Sequence, residues 1–347
     1  MRRGAAGALS TVALVAILAQ AGLAGAAGCK LARIAEWPVR VEHGHILVDG
    51  SINGQKIAIM LDTGAANTLL FRPAAERLGL SPRPTKARMF GVGGEATVEV
   101  AEVGEFRIGE AVRTKWLLPV IGTRFVGADM ILGEQFFQLV DVEFDLAHDA
   151  VRLFQSEGCV GVSLAYWAKD GVGVVDMSPL SEGEPQVVVP VKVNGEPLHA
   201  LFDSGASASF LDKGEAANLG ATPDSPGVVP AGKVRGGGRL EFDSWIASFK
   251  TFTIGNETIR DVALRFSDFR RDAWYTQTGS HVPTKVMASF SMLLGVDFIR
   301  AHRVMVAHSQ RRLYFTYHGG PVFETARTPP PDNSRAEQAA TPHSGGR

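Results

Sequence analysis

The sequence predicts an all-β fold of two matched lobes. Three observations predict it: an internal repeat, Asn-Gly turn signals placed identically in both copies, and short apolar runs split by Gly and Asn. The chain has 347 residues, 45% hydrophobic and 20% charged, which is enough for two compact domains. Its formal net charge of −1 leaves no electrostatic footprint for nucleic acid.

The N-terminus reads as an export signal over residues 1–28. Met1-Arg2-Arg3 is a basic n-region, Ala13 to Leu18 an apolar h-region, and Ala24-Gly25-Ala26 a small-residue cleavage site. The apolar run is too short to predict a spanning helix. Ala26-Ala27-Gly28-Cys29 also resembles a bacterial lipobox, with Ala26 where Leu is preferred. A lipid on Cys29 would tether the chain to a membrane. After simple cleavage, Cys29 and Cys159 would instead be free to pair in an oxidising compartment. Both readings stay open, with lipidation the first. No prosegment is expected between the signal and the first strand.

The repeat carries the fold. Ile52-Asn53-Gly54 is followed by Ile57 to Leu61 and Asp62-Thr63-Gly64-Ala65; Val193-Asn194-Gly195 is followed by Leu198 to Phe202 and Asp203-Ser204-Gly205-Ala206. Asn-Gly between apolar runs signals a hairpin, because both residues tolerate positive φ. Each Asp therefore ends the second strand of a hairpin. Downstream, Phe90-Gly91-Val92-Gly93-Gly94 matches Val234-Arg235-Gly236-Gly237-Gly238, and strand-like segments follow (Thr97 to Val103, Leu240 to Phe252). Met130-Ile131-Leu132-Gly133 matches Met292-Leu293-Leu294-Gly295, and from there Phe136 faces Phe298 and Val142 faces Val304. The offset grows from 141 to 162, so the second copy holds about 21 extra residues, assigned to Asp268 to Val286 with Trp274-Tyr275 at its centre.

One brief helix per copy is expected, at Pro73 to Leu80 and Asp212 to Gly220. The expected boundaries are a first lobe over 40–156, a linker over 157–186, a second lobe over 187–317 and a Pro-rich disordered tail over 328–347. His43-Gly44-His45 reads as a polar start to a strand, since no ligand cluster accompanies it, and no metal or cofactor is expected. His302 and His308 read as packing or surface residues, and Asp141, Asp145 and Asp149 as a charged rim. No phosphate loop, nucleophilic serine motif or haem attachment pattern is present.

Two Asp-Thr/Ser-Gly loops in matched hairpins, each with a downstream glycine loop and an apolar-apolar-Gly, resemble the retropepsin-like and pepsin-like aspartic peptidases. The resemblance covers about residues 45–155 and 187–317. It implies that Asp62 and Asp203 meet across the pseudo-twofold axis of a single chain. Two carboxyls about 3 Å apart share one proton. The ionised one activates a water, and the protonated one polarises the scissile carbonyl. By the same resemblance, Thr63 and Ser204 brace the loops across the interface, and Gly64 and Gly205 leave room at the carboxylates. Gly91, Gly93, Gly94, Gly236 and Gly237 form flaps over a peptide or protein substrate. A monomer is expected, exported to the periplasm or anchored as a bacterial lipoprotein. An inactive peptide-binding or scaffold protein of the cell envelope is the alternative function, and a dimer with a pair in each interface the alternative assembly.

Pepsin-like members carry a hydroxyl residue directly after the triplet, and it stabilises the ionised carboxylate; here Ala65 and Ala206 stand there. The expected outcome of a pH–rate profile is an optimum in the weakly acidic to neutral range. A maximum in strong acid would contradict this.

Overall fold

A computed structural model describes residues 28–92, 94–122, 125–178, 185–236, 240–269, 274–275, 284–285 and 290–323. Residues 1–27 of the expected signal, the tail over 328–347, most of the inserted segment, Gly93 and Gly237 lie outside the described residues.

The first half contributes ten strands: β1 (Lys30–Glu42), β2 (His45–Ile52), β3 (Gln55–Asp62), β4 (Leu69–Phe71), β5 (Arg83–Gly91), β6 (Gly94–Ile108), β7 (Ala111–Ile121), β8 (Met130–Gly133), β9 (Asp141–Asp145) and β10 (Ala150–Glu157). Next come β11 (Gly173–Asp176), β12 (Val188–Val193), β13 (Glu196–Phe202), β14 (Phe210–Asp212), β15 (Val229–Arg235), β16 (Glu241–Ile254) and β17 (Glu257–Ser267). The inserted segment holds β18 (Trp274–Tyr275) and β19 (Thr284–Lys285), which pair with each other. Strands β20 (Met292–Leu294), β21 (His302–Ala307) and β22 (Arg312–Tyr317) close the chain. The helices are short: Arg72–Arg77, Glu134–Phe137, Lys213–Asn218 and Val296–Ala301. None is long and apolar enough to cross a membrane.

The repeat of sequence is a repeat of topology. In the first half the order is β2-β3-β8-β4-β7-β6-β5 with an extra β2–β6 pairing; in the second it is β12-β13-β20-β14-β17-β16-β15 with an extra β12–β16 pairing. Both Asn-Gly turns form, with φ of 49° and 78° at Asn53 and Gly54 and 53° and 88° at Asn194 and Gly195. Each Asn also docks its hairpin on a later strand of its own lobe. Asn53 Oδ1 accepts the Glu105 N–H at 2.9 Å, and Asn194 Oδ1 accepts the Lys250 N–H at 2.7 Å.

The lobes join through a shared sheet ordered β11-β22-β21-β9-β10-β1. At its centre Val304 opposes Phe144, Met305 opposes Glu143 and Val306 opposes Val142. Glu143 and Met305 are repeat equivalents, so the pseudo-twofold axis passes through that pair. Strand β9 is buried along its whole length, which corrects the reading of Asp141 and Asp145 as a rim. Asp141 accepts the Ser309 N–H and hydroxyl at 2.9 and 2.8 Å. Arg152 donates to Glu143 at 2.6 Å and to Asp145 at 2.8 Å, and Arg303 donates to Glu143 at 2.8 Å. Carboxyls this deep need such polar or charged partners, and these come from neighbouring strands and from the turn at Ser309. One apolar core runs through both halves, with Phe144 and Phe202 packed at 5.9 Å between ring centres.

The boundaries differ from the sequence reading in two places. The first strand begins at Lys30, because its N-terminal half pairs with β10 in the shared sheet. The segment expected as a plain linker contains β11, which pairs with β22. It also contains Trp167, over which the Arg303 guanidinium stacks at 4.7 Å. The structure holds the disulfide of Cys29 with Cys159, their Cα atoms 4.3 Å apart. A sulfur so used has no valence left for a lipid thioether, so this form corrects the lipidation reading of Cys29. The bond ties the start of β1 to the segment after β10 across 130 residues of sequence. Closing so long a loop removes about 3–5 kcal/mol of unfolded-state entropy. Reducing agent, or Cys159→Ser, is expected to lower the urea midpoint by a matching amount. No change in unfolding with reductant would contradict this placement.

Candidate active site

Both Asp loops are set by the same local arrangement. Strand β3 runs parallel to β8 and brings Asp62 opposite Gly133; β13 runs parallel to β20 and brings Phe202 opposite Leu294. The backbone then locks each loop from below. Glu134 N–H donates to Ala65 O at 2.8 Å, and Val296 N–H donates to Ala206 O at 2.9 Å. Ile131, Leu132, Leu293 and Leu294 are buried beneath the loops, a core role.

The loops meet through their hydroxyl residues, and Thr63 and Ser204 are completely buried. Thr63 Oγ1 donates to Phe202 O at 2.7 Å and accepts the Ser204 N–H at 3.0 Å. Ser204 Oγ donates to Leu61 O at 2.9 Å and accepts the Thr63 N–H at 3.0 Å. Each hydroxyl thus grips the peptide groups on both sides of the other lobe's Asp. The glycines complete the crossing. A methyl group on Gly64 would overlap the Asp203 carboxyl, and one on Gly205 would overlap the Asp62 carboxyl. Only a residue without a side chain lets the two carboxyls come together.

Ala65 N–H donates to Asp62 Oδ1 at 2.9 Å; Gly205 and Ala206 N–H donate to Asp203 Oδ1 at 2.9 and 3.0 Å. Burial pushes both carboxyls up. The Asp203 charge adds to the effect on Asp62, which lies well above the ordinary carboxylate range. Asp203, eased by its backbone donors, is pushed up to about 6. The pair hydrogen-bonds to itself and so retains one proton into the weakly acidic range.

The glycine hairpins also meet. Gly91 pairs with Gly94 at the β5–β6 tip, Gly94 lies beside Leu240, and Gly236 lies against Val92. Val92 packs with Val234 and Phe269 in one apolar cluster. Two turns expected as flaps therefore touch across the lobes.

Three residues take contacts about the site that the sequence reading does not assign to them. It gives Glu134 no role, His308 a packing or surface role and His45 a place in a polar strand start. Glu134 is fully buried, and burial together with the Asp62 charge pushes it up to about 9. Its Oε1 lies 3.3 Å from Nε2 of His308, which burial pushes down to about 4. The repeat equivalents of this pair, Val296 and Leu146, are apolar. The polar pair therefore marks one lobe, and only its break with the repeat signalled it. His45 is the third: its Nδ1 lies 3.0 Å from Gly205 O. Elsewhere, His302 is buried against Phe298 and Glu257, a packing role. Asp145 gathers His148 at 2.7 Å and His318 at 4.0 Å, but Arg152 and Arg303 already neutralise its carboxylate.

A family model described as aspartyl protease matches residues 48–136 and 189–298, more than half of the chain. The chain belongs to the aspartyl protease family. The two matched segments are the two copies of the repeat, and each contains one Asp loop. Among solved structures, the aspartic proteinase from Irpex lacteus is similar at a TM-score of 0.48 and 11% identity, covering 83% of this chain and 98% of that one. No curated protein matches the sequence.

Thr63→Val is expected to destabilise the protein by about 2–4 kcal/mol, because it leaves the Phe202 carbonyl and the Ser204 N–H buried without partners. Urea unfolding with an unchanged m-value measures it. A loss below about 0.5 kcal/mol would contradict the bracing role.

Proposed function

We propose that this chain is an aspartic endopeptidase in which Asp62 and Asp203 share one proton and activate water against a peptide bond. The observation that carries the reading is the reciprocal crossing of the loops, in which each carboxyl lies against the other loop's glycine. A water between the carboxyls loses a proton to the ionised one as its oxygen attacks the scissile carbonyl carbon. The protonated carboxyl donates to the carbonyl oxygen, which becomes a hydroxyl of the tetrahedral intermediate. On collapse the now ionised carboxyl takes back the proton of that hydroxyl, the carbonyl re-forms and the C–N bond breaks. The amine leaves with a proton from the pair, which returns to its singly protonated state. No metal or organic cofactor is needed for this cycle.

Touching hairpin tips would have to part for an extended peptide to enter and would then exclude water over it. Both carboxyls come from one chain, which supports a monomer acting on peptide or protein substrates. The Cys29–Cys159 disulfide favours an oxidising compartment, in keeping with export.

Asp62→Asn and Asp203→Asn are each expected to reduce cleavage of a mixed peptide library by at least about a thousandfold, since losing either partner removes a role the other cannot fill. The acid limb of the unsubstituted protein's profile should fall near pH 6, where Asp203 takes up its proton. Cleavage that survives either substitution would overturn the reading. An unsubstituted protein that binds peptides but cuts none would favour a binding module.

A further inference from the structure

The turn His43-Gly44-His45 belongs to the first lobe, yet it is seated on the second lobe's Asp loop. A methyl group on Gly44 would overlap Ser207, so the turn and that loop are in direct contact. From this seat His45 reaches Gly205 O, 160 residues away in sequence, at 3.0 Å. A carbonyl only accepts, so Nδ1 carries the hydrogen. The ring is held edge-on against Phe125, with centroids 5.7 Å apart.

The Gly205 carbonyl and the Ala206 N–H are two ends of one peptide group. The Ala206 end donates to Asp203 Oδ1 at 3.0 Å. His45 therefore donates into one end of a peptide whose other end donates to the Asp203 carboxylate. Hydrogen bonds in such a chain polarise one another, and the low dielectric of a buried site strengthens the effect. The matching peptide in the first lobe has no such backing. Gln186 stands at the repeat equivalent of His45, and among the described residues no hydrogen bond reaches the Gly64 carbonyl. A second asymmetry stands beside it: Glu134 follows Gly133, which pairs with Asp62, whereas its repeat equivalent beneath the Asp203 loop is Val296.

We propose that His45 is a positioning residue that acts through the Gly205–Ala206 peptide to hold the negative charge of the pair on Asp203, leaving the shared proton on Asp62. This deepens the peptidase reading of the same site: Asp203 becomes the group that takes a proton from water, and Asp62 the one that donates to the carbonyl. The charged and titratable groups about His45 are His43 on its own turn, Glu42 opposite it on β1 with its ion-pair partner Arg40, and the Asp62–Asp203 pair from the two loops; Glu134 lies by Asp62, with His308 against it. Burial holds His45 below its ordinary range, which favours the neutral ring, and the Gly205 carbonyl favours the tautomer with hydrogen on Nδ1.

The test uses the Asp62→Asn protein, where Asp203 is the pair's one remaining carboxyl, followed by NMR of ¹³C-labelled aspartate across pH. The Asp203 signal is assigned by its loss on adding Asp203→Asn. His45→Leu removes the donor and is expected to raise the Asp203 titration by about one pH unit. His45→Asn places an amide nitrogen near the position of Nδ1 and should restore most of that shift. His45→Phe keeps a ring against Phe125 without a donor and serves if the leucine variant does not fold. In the otherwise unsubstituted enzyme, the acid limb of kcat/KM should move up in the donor-less variants with little change in KM. An unmoved titration in both donor-less variants, or an asparagine variant that shifts as far as they do, overturns the proposal. Cleavage that survives Asp62→Asn would instead refute the peptidase reading, while the titration still decides the role of His45.

Discussion

The rest of the molecule serves one arrangement, in which two buried carboxyls that repel one another are held in contact by loops from opposite lobes. Left to themselves, such groups would separate or both take up protons. Four hydrogen bonds from Thr63 and Ser204 resist separation, because each hydroxyl binds the peptides on both sides of the other lobe's Asp. Backbone bonds from Glu134 and Val296 fix the loops from below. The shared sheet, centred on Glu143 and Met305, sets the distance between lobes. Slack in any of these would show first as a change in the proton affinity of the pair.

Near symmetry alone would leave the shared proton indifferent between two equivalent carboxyls. The sequence has drifted from symmetry where that matters. Glu134 and His308 replace the apolar pattern kept by Val296 and Leu146, and they do so on the Asp62 side. His45 backs a peptide of the Asp203 loop, whereas Gln186 stands at the matching position of the other half. Differences between repeat copies are therefore the places to look for division of labour between the two halves.

The hairpins, the Asp loops and the glycines were legible in the sequence because each is a local pattern with a local cause. Asn53-Gly54 and Asn194-Gly195 adopt the positive φ that only such residues accept readily, and the Asp triplets follow at fixed spacing. What stayed hidden depends on contacts distant in sequence. Nothing near His45 points to Gly205, and a Glu at the start of a short helix looks like a solvent-facing residue until the fold buries it. Asp141 and Asp145 read as a rim because their partners, Ser309, Arg152 and Arg303, arrive from other strands. The lipobox resemblance at Cys29 competed with a disulfide whose partner is 130 residues away. Strand β11 was missed because four residues between glycine-rich turns carry almost no periodic signal.

The central claim is that one chain supplies both carboxyls of one site. The measurement that tests it most directly is calorimetric titration of the protein with pepstatin, an inhibitor of aspartic peptidases, together with its mass in solution. The expected result is one inhibitor bound per chain at monomer mass. A dimer with a binding site in each interface, or saturation at any other ratio, would contradict the intramolecular pair.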